Sequence, residues 1–180
     1  EEAEAAKAVN TVIIKENGFM RGENTDGVGF ARDLEANLGI TLHKKNILVV
    51  GAGGAVSGVL KRLIEKKPFS VSIYNRTPEK AEALASLYPG TLKSVRSAEL
   101  SDDYDLVING TSIGVAAGEV SLPKRILKKA ELSYDMVYSH KPTPFQTRTR
   151  LHSDATAFDG LGMLVEQAGE AFALWFGRKP

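Results

Sequence analysis

Cysteine is absent from the 180 residues, so neither a disulfide nor thiolate chemistry is open to this chain. Three histidines are scattered, at His43, His140 and His152, with no carboxylate at ligand spacing, and no metal is expected. No basic run is longer than a pair and the net charge is +1, which argues against a nucleic-acid surface. The longest apolar runs, such as "NILVVGAGGAV", are too short and too glycine-rich to span a bilayer. The opening "EEAEAAKAVN" is acidic, with no apolar stretch behind a basic start, so no signal peptide is expected and the cytoplasm is the default location. Internal repeats and low-complexity linkers are missing too. What remains is an ordinary globular composition, 43% hydrophobic and 25% charged, in a chain long enough for one good core plus part of a second domain.

Periodicity then divides the chain. "AVNTVII" and "GFMRGEN" flank an Asn17-Gly18 turn and read as a hairpin. "DGVGFARDLEANLG" repeats Phe30, Leu34 and Leu38 at i, i+4 and i+8 and predicts a helix closed by Gly39. "NILVV", "FSVSIY", "YDLVIN" and "LSYDMVY" are short and mostly apolar, the pattern of strands buried on both faces. Helical segments lie between them, among them "GAGGAVSGVLKRLIEKK", "TPEKAEALASLY" and the short basic "PKRILKK"; Pro78 suits a first helical position. Arg148 and Arg150 are expected on the solvated face of a helix. Such alternation implies an α/β fold with a doubly wound parallel sheet over about residues 26–158. The opening hairpin and the last helix, "DGLGMLVEQAGEAFALWFG", do not fit that scheme. Each needs a partner surface, so residues 1–25 and 159–180 are expected to form part of a second domain.

"VVGAGGAVSG" follows a strand and opens a helix, the context a nucleotide loop requires. Gly51 permits the tight turn, Gly53 lets backbone approach a pyrophosphate, and Gly54 and Ala55 keep the first helical turn narrow. Val56 stands where a third glycine is usual, which leaves close helix–strand packing to Ala55 and Gly58. About 20 residues on, a dinucleotide unit commonly carries an acid for the ribose hydroxyls. Here that place is "NRTPEK". The Arg76 guanidinium suits an adenosine 2′-phosphate, with Asn75 and Thr77 as further donors and Lys80 as added charge, so the expected cofactor is NADP rather than NAD.

With those pieces in view, the chain resembles the shikimate dehydrogenases. The resemblance rests on "AVNT", "NTDGVGF", "GAGGA", "NRT", "NGTSIG", "YDMVY", "TPF" and "DGLGMLVEQA", in the family's order across nearly the whole chain. It implies two α/β domains, a Rossmann-like NADP domain and a discontinuous substrate domain, and NADP-dependent interconversion of 3-dehydroshikimate and shikimate in aromatic amino-acid biosynthesis. By the same resemblance, Asp26 is the catalytic aspartate that works with a lysine. That lysine and the serine pair for the substrate carboxylate belong to a longer N-terminal segment that these residues do not include. Asn10, Asp26, Tyr138 and Gln167 are implied substrate ligands. Gly51, Ala52, Gly53, Gly54 and Ala55 form the implied pyrophosphate loop. Asn75, Arg76, Thr77 and Lys80 form the 2′-phosphate clamp, and Thr111, Ser112 and Gly160 lie by the nicotinamide. Gly110 and Val115 depart from the usual alanine and methionine. Two rivals stand beside this reading: a quinate/shikimate dehydrogenase accepting NAD, and a non-catalytic dinucleotide-binding module. On spacing alone, Asp26, Asn24 and Thr25 all compete to cap the helix through Leu34.

Overall fold

The computed structural model describes residues 2–111 and 122–180. It packs as two compact units, one made of Glu1–Thr41, Gly54–Lys66 and Gly162–Pro180, the other of Leu42–Gly53 and Lys67–Leu161. Ser112 and Val115 lie outside the described residues.

The second unit is a six-stranded sheet. Its strands are β3 (Asn46–Val50), β4 (Ser70–Tyr74), β5 (Leu92–Ser94), β6 (Leu106–Asn109), β7 (Leu132–Asp135) and β8 (Thr156–Phe158). They lie in the order β5-β4-β3-β6-β7-β8 and every pair is parallel. This is the order of a doubly wound dinucleotide sheet, with the chain reversing its direction of travel between β3 and β6. Ile47, Leu48 and Val49 on β3 and Val107 and Ile108 on β6 are fully buried, as apolar strands covered on both faces should be. One core cluster joins Leu48, Val50 and Val107 to Ile126 and Leu127 of α5 (Lys124–Lys129) and Phe145 of α6 (Pro144–His152). Strands β5 and β8, three residues each, carry too little pattern to be read in advance. Helix α6 begins with a capping box: the Gln146 N–H donates to Thr143 Oγ1 at 3.1 Å and the Thr143 N–H donates to Gln146 Oε1 at 2.9 Å. On this helix Arg150 is exposed, as expected. Arg148 is not: it is half-buried and donates to the Leu122 carbonyl at 2.6 Å.

The first unit combines α1 (Glu2–Ala6), a hairpin of β1 (Thr11–Ile14) and β2 (Met20–Glu23), α2 (Asp26–Arg32), α3 (Gly54–Glu65) and α7 (Leu161–Phe176). The hairpin turns at Gly18, with φ +78°, a conformation that glycine takes without steric cost. The helix expected over residues 26–39 changes pitch partway. After Arg32 it continues as a π-turn, Asp33–Asn37, before Gly39 ends it.

Three glycines let α2 approach its neighbours. A Cβ on Gly27 would lie 2.8 Å from the Gly58 carbonyl of α3, and one on Gly29 would lie 2.6 Å from the Gln167 nitrogen of α7. Gly58 itself faces Asp26 rather than a strand, which corrects the expectation that it serves helix–strand packing. This unit therefore takes in α2 and α3 as well as the two ends of the chain. The tryptophan Trp175 ties α7 to the hairpin by donating to the Val12 carbonyl at 3.0 Å. Among the described residues, no helix is long and apolar enough to cross a membrane.

Candidate active site

In the first unit, four polar side chains converge at the start of α2. The Asn10 amide donates to Asp26 Oδ1 at 2.8 Å, and its own Oδ1 accepts from the Thr25 N–H at 3.0 Å. The Thr25 hydroxyl donates to Gln167 Oε1 at 3.1 Å, bringing the last helix into the cluster. Three of the four substrate ligands expected from sequence, Asn10, Asp26 and Gln167, are thus brought together from opposite ends of the chain.

The competition for the cap is also resolved. Thr25 holds the N-cap position without a side-chain cap bond, while Asn24 Oδ1 accepts from the Asp26 N–H at 3.0 Å. The Asp26 carboxylate is therefore free of capping duty. It has one side-chain hydrogen bond, and its Oδ2 lies close enough to Gly58 that a Cβ there would stand 3.1 Å from it. Burial pushes the Asp26 pKa up, and the Asn10 bond only partly opposes this. A carboxyl raised in this way, half-exposed and underpaired, is suited to moving a proton.

The second unit carries the glycine loop. Gly51 has φ +112°, and its missing Cβ would lie 3.0 Å from the Gly110 carbonyl and 3.1 Å from Thr111 Cγ2. Here both the dihedral and the close approach demand glycine. The Gly51 N–H donates to the Tyr74 carbonyl and the Gly110 N–H to the Val50 carbonyl, both at 2.8 Å, which fixes the turn between β4 and β6. Gly53 is exposed and a Cβ on it would meet nothing within 4 Å, which leaves its backbone open to the approach of a phosphate.

At the end of β4, Arg76, Thr77 and Lys80 are exposed. Thr77 caps α4 (Pro78–Ala85) through its backbone, with its hydroxyl uncommitted to the cap, and Pro78 opens the helix. The Asn75 amide donates to the Thr77 carbonyl at 2.9 Å, shaping this turn. Arg76 makes no ion pair with any described residue, a disposition that suits an anionic ligand.

Tyr138 belongs to this unit, half-exposed in the segment after β7. Gly160 donates its N–H to the Val137 carbonyl at 3.1 Å, and a side chain there would collide with the Met136 carbonyl. Among the described residues no group of three or more metal-ligating side chains occurs.

Comparison with known proteins places the chain in one family. The family model described as shikimate / quinate 5-dehydrogenase matches residues 33–136, and that of the shikimate 5′-dehydrogenase C-terminal domain matches 160–180. The chain belongs to the shikimate/quinate dehydrogenase family. The shikimate dehydrogenase (NADP(+)) of Alkalilimnicola ehrlichii is 49% identical over 180 residues, covering 99% of this chain and 66% of the relative. Among solved structures, an Ael1 enzyme from Pseudomonas putida superposes with TM-score 0.93 at 40% identity, covering 100% of this chain and 67% of that one. Shikimate 5-dehydrogenase of Thermus thermophilus, solved with NADP(H) and shikimate, gives 0.86 at 34%, covering 99% and 66%. The chain thus spans about two thirds of the length of the curated relative.

Family motifs point to Asn10, Asp26 and Gln167, and they leave out their hydrogen-bonding partner Thr25. They also leave out a buried set in the second unit, Asn109, Asp135 and Thr143, although Asp135 sits inside "YDMVY" and Thr143 inside "TPF". A charged residue at the end of an otherwise apolar strand is the signal that could have found Asp135.

Proposed function

We propose that this chain supplies the NADP-binding domain, residues 26–158, and part of the substrate domain, residues 1–25 and 159–180, of a cytoplasmic shikimate dehydrogenase. The reaction is the reversible NADP-dependent reduction of 3-dehydroshikimate to shikimate. The observation that carries this reading is the exposed Arg76 at the end of β4, one strand away from the Gly51 turn that follows β3, where a ribose-binding enzyme keeps a carboxylate.

The open backbone at Gly53 and the positive φ of Gly51 fit a pyrophosphate, and Arg76, Thr77 and Lys80 fit a 2′-phosphate. The cofactor, when bound, supplies or accepts a hydride. Asp26 moves a proton at the substrate oxygen, acting with the lysine that the resemblance implies and that no motif in these 180 residues matches. Asn10 and Gln167 orient substrate hydroxyls from the same cluster. Relatives named as NADP-dependent shikimate dehydrogenases support the reading.

Calorimetric titration of the chain with NADP and with NAD tests it. NADP is expected to bind more tightly, and Arg76→Ala to weaken NADP about 10- to 100-fold while leaving NAD nearly unchanged. Equal affinity for the two cofactors in the parent chain would overturn the assignment.

A further inference from the structure

Buried polar groups form a continuous chain across the carboxyl ends of β6, β7 and β8. Asp135 is fully buried, as is Asn109 on the neighbouring strand, and the Asn109 amide donates to Asp135 Oδ1 at 2.9 Å. The same carboxylate oxygen accepts from the Val137 N–H at 3.1 Å, and Oδ2 accepts from the Thr143 hydroxyl at 2.6 Å. Thr143 leads on to Gln146, whose amide donates to the Ala157 carbonyl at 3.3 Å. In the other direction, Asn109 Oδ1 accepts from both the Thr111 N–H, at 3.2 Å, and the Thr111 hydroxyl, at 2.7 Å. Thr111 in turn touches the space left open by Gly51.

An asparagine amide has a donor end and an acceptor end of nearly the same shape, so its orientation must be imposed from outside. An ionised carboxylate accepts and cannot donate. Facing Asp135, Asn109 has to present its NH2, which leaves its oxygen toward the two donors of Thr111. Reversing the amide would set its NH2 against the Thr111 N–H and its oxygen against the Asp135 carboxylate.

We infer that Asp135 is a positioning residue: by fixing the direction of the Asn109 amide it sets the Gly110–Thr111 turn against the glycine loop, at the end of the cofactor site remote from Arg76. This rests on the dinucleotide reading above. Strand order supplies the geometry, since Arg76 follows β4 on one side of β3 and Thr111 follows β6 on the other. A dinucleotide laid across the switch point therefore has its 2′-phosphate end over β4 and its other end over β6.

The test separates the two ends. Binding of NADP and of 2′,5′-ADP, which lacks the nicotinamide half, is measured for the parent chain, for Asp135→Asn and for Thr111→Val. Asp135→Asn lets the Asn109 amide reverse. Thr111→Val keeps the methyl contact with Gly51, removes only the hydroxyl, and stands in should Asp135→Asn fail to fold. Both variants are expected to bind 2′,5′-ADP as the parent does and NADP about tenfold more weakly. Unchanged NADP affinity in the folded variants would overturn the inference. Equal weakening of both ligands would do so too, since it would reduce Asp135 to a general structural role. A parent chain that binds neither ligand would overturn the dinucleotide reading itself.

Discussion

Asp26 and Asp135 are both carboxylates at the end of a regular element, and burial pushes the pKa of each upward. Their surroundings differ. Asp135 is sealed and accepts from three donors, Thr143, Val137 and Asn109, while Asp159 nearby adds to the upward push. Asp26 is half-exposed and receives one side-chain donor, Asn10, at Oδ1, while its other oxygen lies against Gly58. A carboxylate whose acceptor sites are taken up by protein donors organises its surroundings. One left with an unused oxygen in a desolvated position is equipped to exchange a proton. The same residue type thus sits in opposite surroundings, and the difference lies in how many donors reach it.

If the contrast holds, Asp26→Asn should lower shikimate turnover by about 10²- to 10⁴-fold in an enzyme of the relatives' full length carrying this chain. Its fold should be intact, since the Asn10 amide still finds an oxygen. Steady-state kinetics on purified variant and parent decides this, and a loss below about threefold would deny Asp26 the proton. Asp135→Ala should also cost stability, leaving the buried donors of Asn109 and Thr143 unpaired at about 1–3 kcal/mol each. Urea denaturation measures it, and a cost under about 0.5 kcal/mol would mean the network is loosely held.

Gly58→Ala tests the space beside Asp26. The new methyl would stand 3.1 Å from Oδ2, close enough to force the carboxylate to shift by a few tenths of an ångström. Helix propensity favours alanine by about 1 kcal/mol, so stability should change little while turnover falls about tenfold. Turnover equal to that of the parent would show that Oδ2 is not used.

The smallest effect concerns pH. Because burial raises the folded pKa of Asp26, its protonated form is favoured by folding. That contribution is fully present below the ordinary carboxyl value of 3.8 and is lost as pH rises through the folded pKa. Asp26→Asn should therefore melt about 1–2 °C above the parent at pH 7, with the gain shrinking as pH falls toward that value. Thermal melts at pH 7 and pH 4 would show it, and a constant difference across pH would exclude ionisation as the cause.

Much of this molecule is legible in one dimension. The four longer strands of the sheet are apolar runs, the glycine loop announces itself by composition and by the strand before it, and "NRTPEK" sets an amide, a guanidinium and a hydroxyl side by side. Each of these depends on contacts between near neighbours in sequence or on burial that marks every residue of a strand alike. Strands β5 and β8 fell below that threshold because three residues cannot express a period.

What sequence could not show is the company that polar residues keep. Nothing local reveals that Asn10, Thr25 and Gln167 meet around Asp26, that Gly58 lies against that carboxylate, or that Asp135 accepts from the amide of Asn109. Those relations join segments separated by as much as 142 positions, through hydrogen bonds whose partners are selected only when helices and strands have packed. Burial by the whole fold, not the identity of either aspartate, raises both pKa values. The number of donors that packing delivers, one side-chain donor at Asp26 and three donors at Asp135, then separates the two.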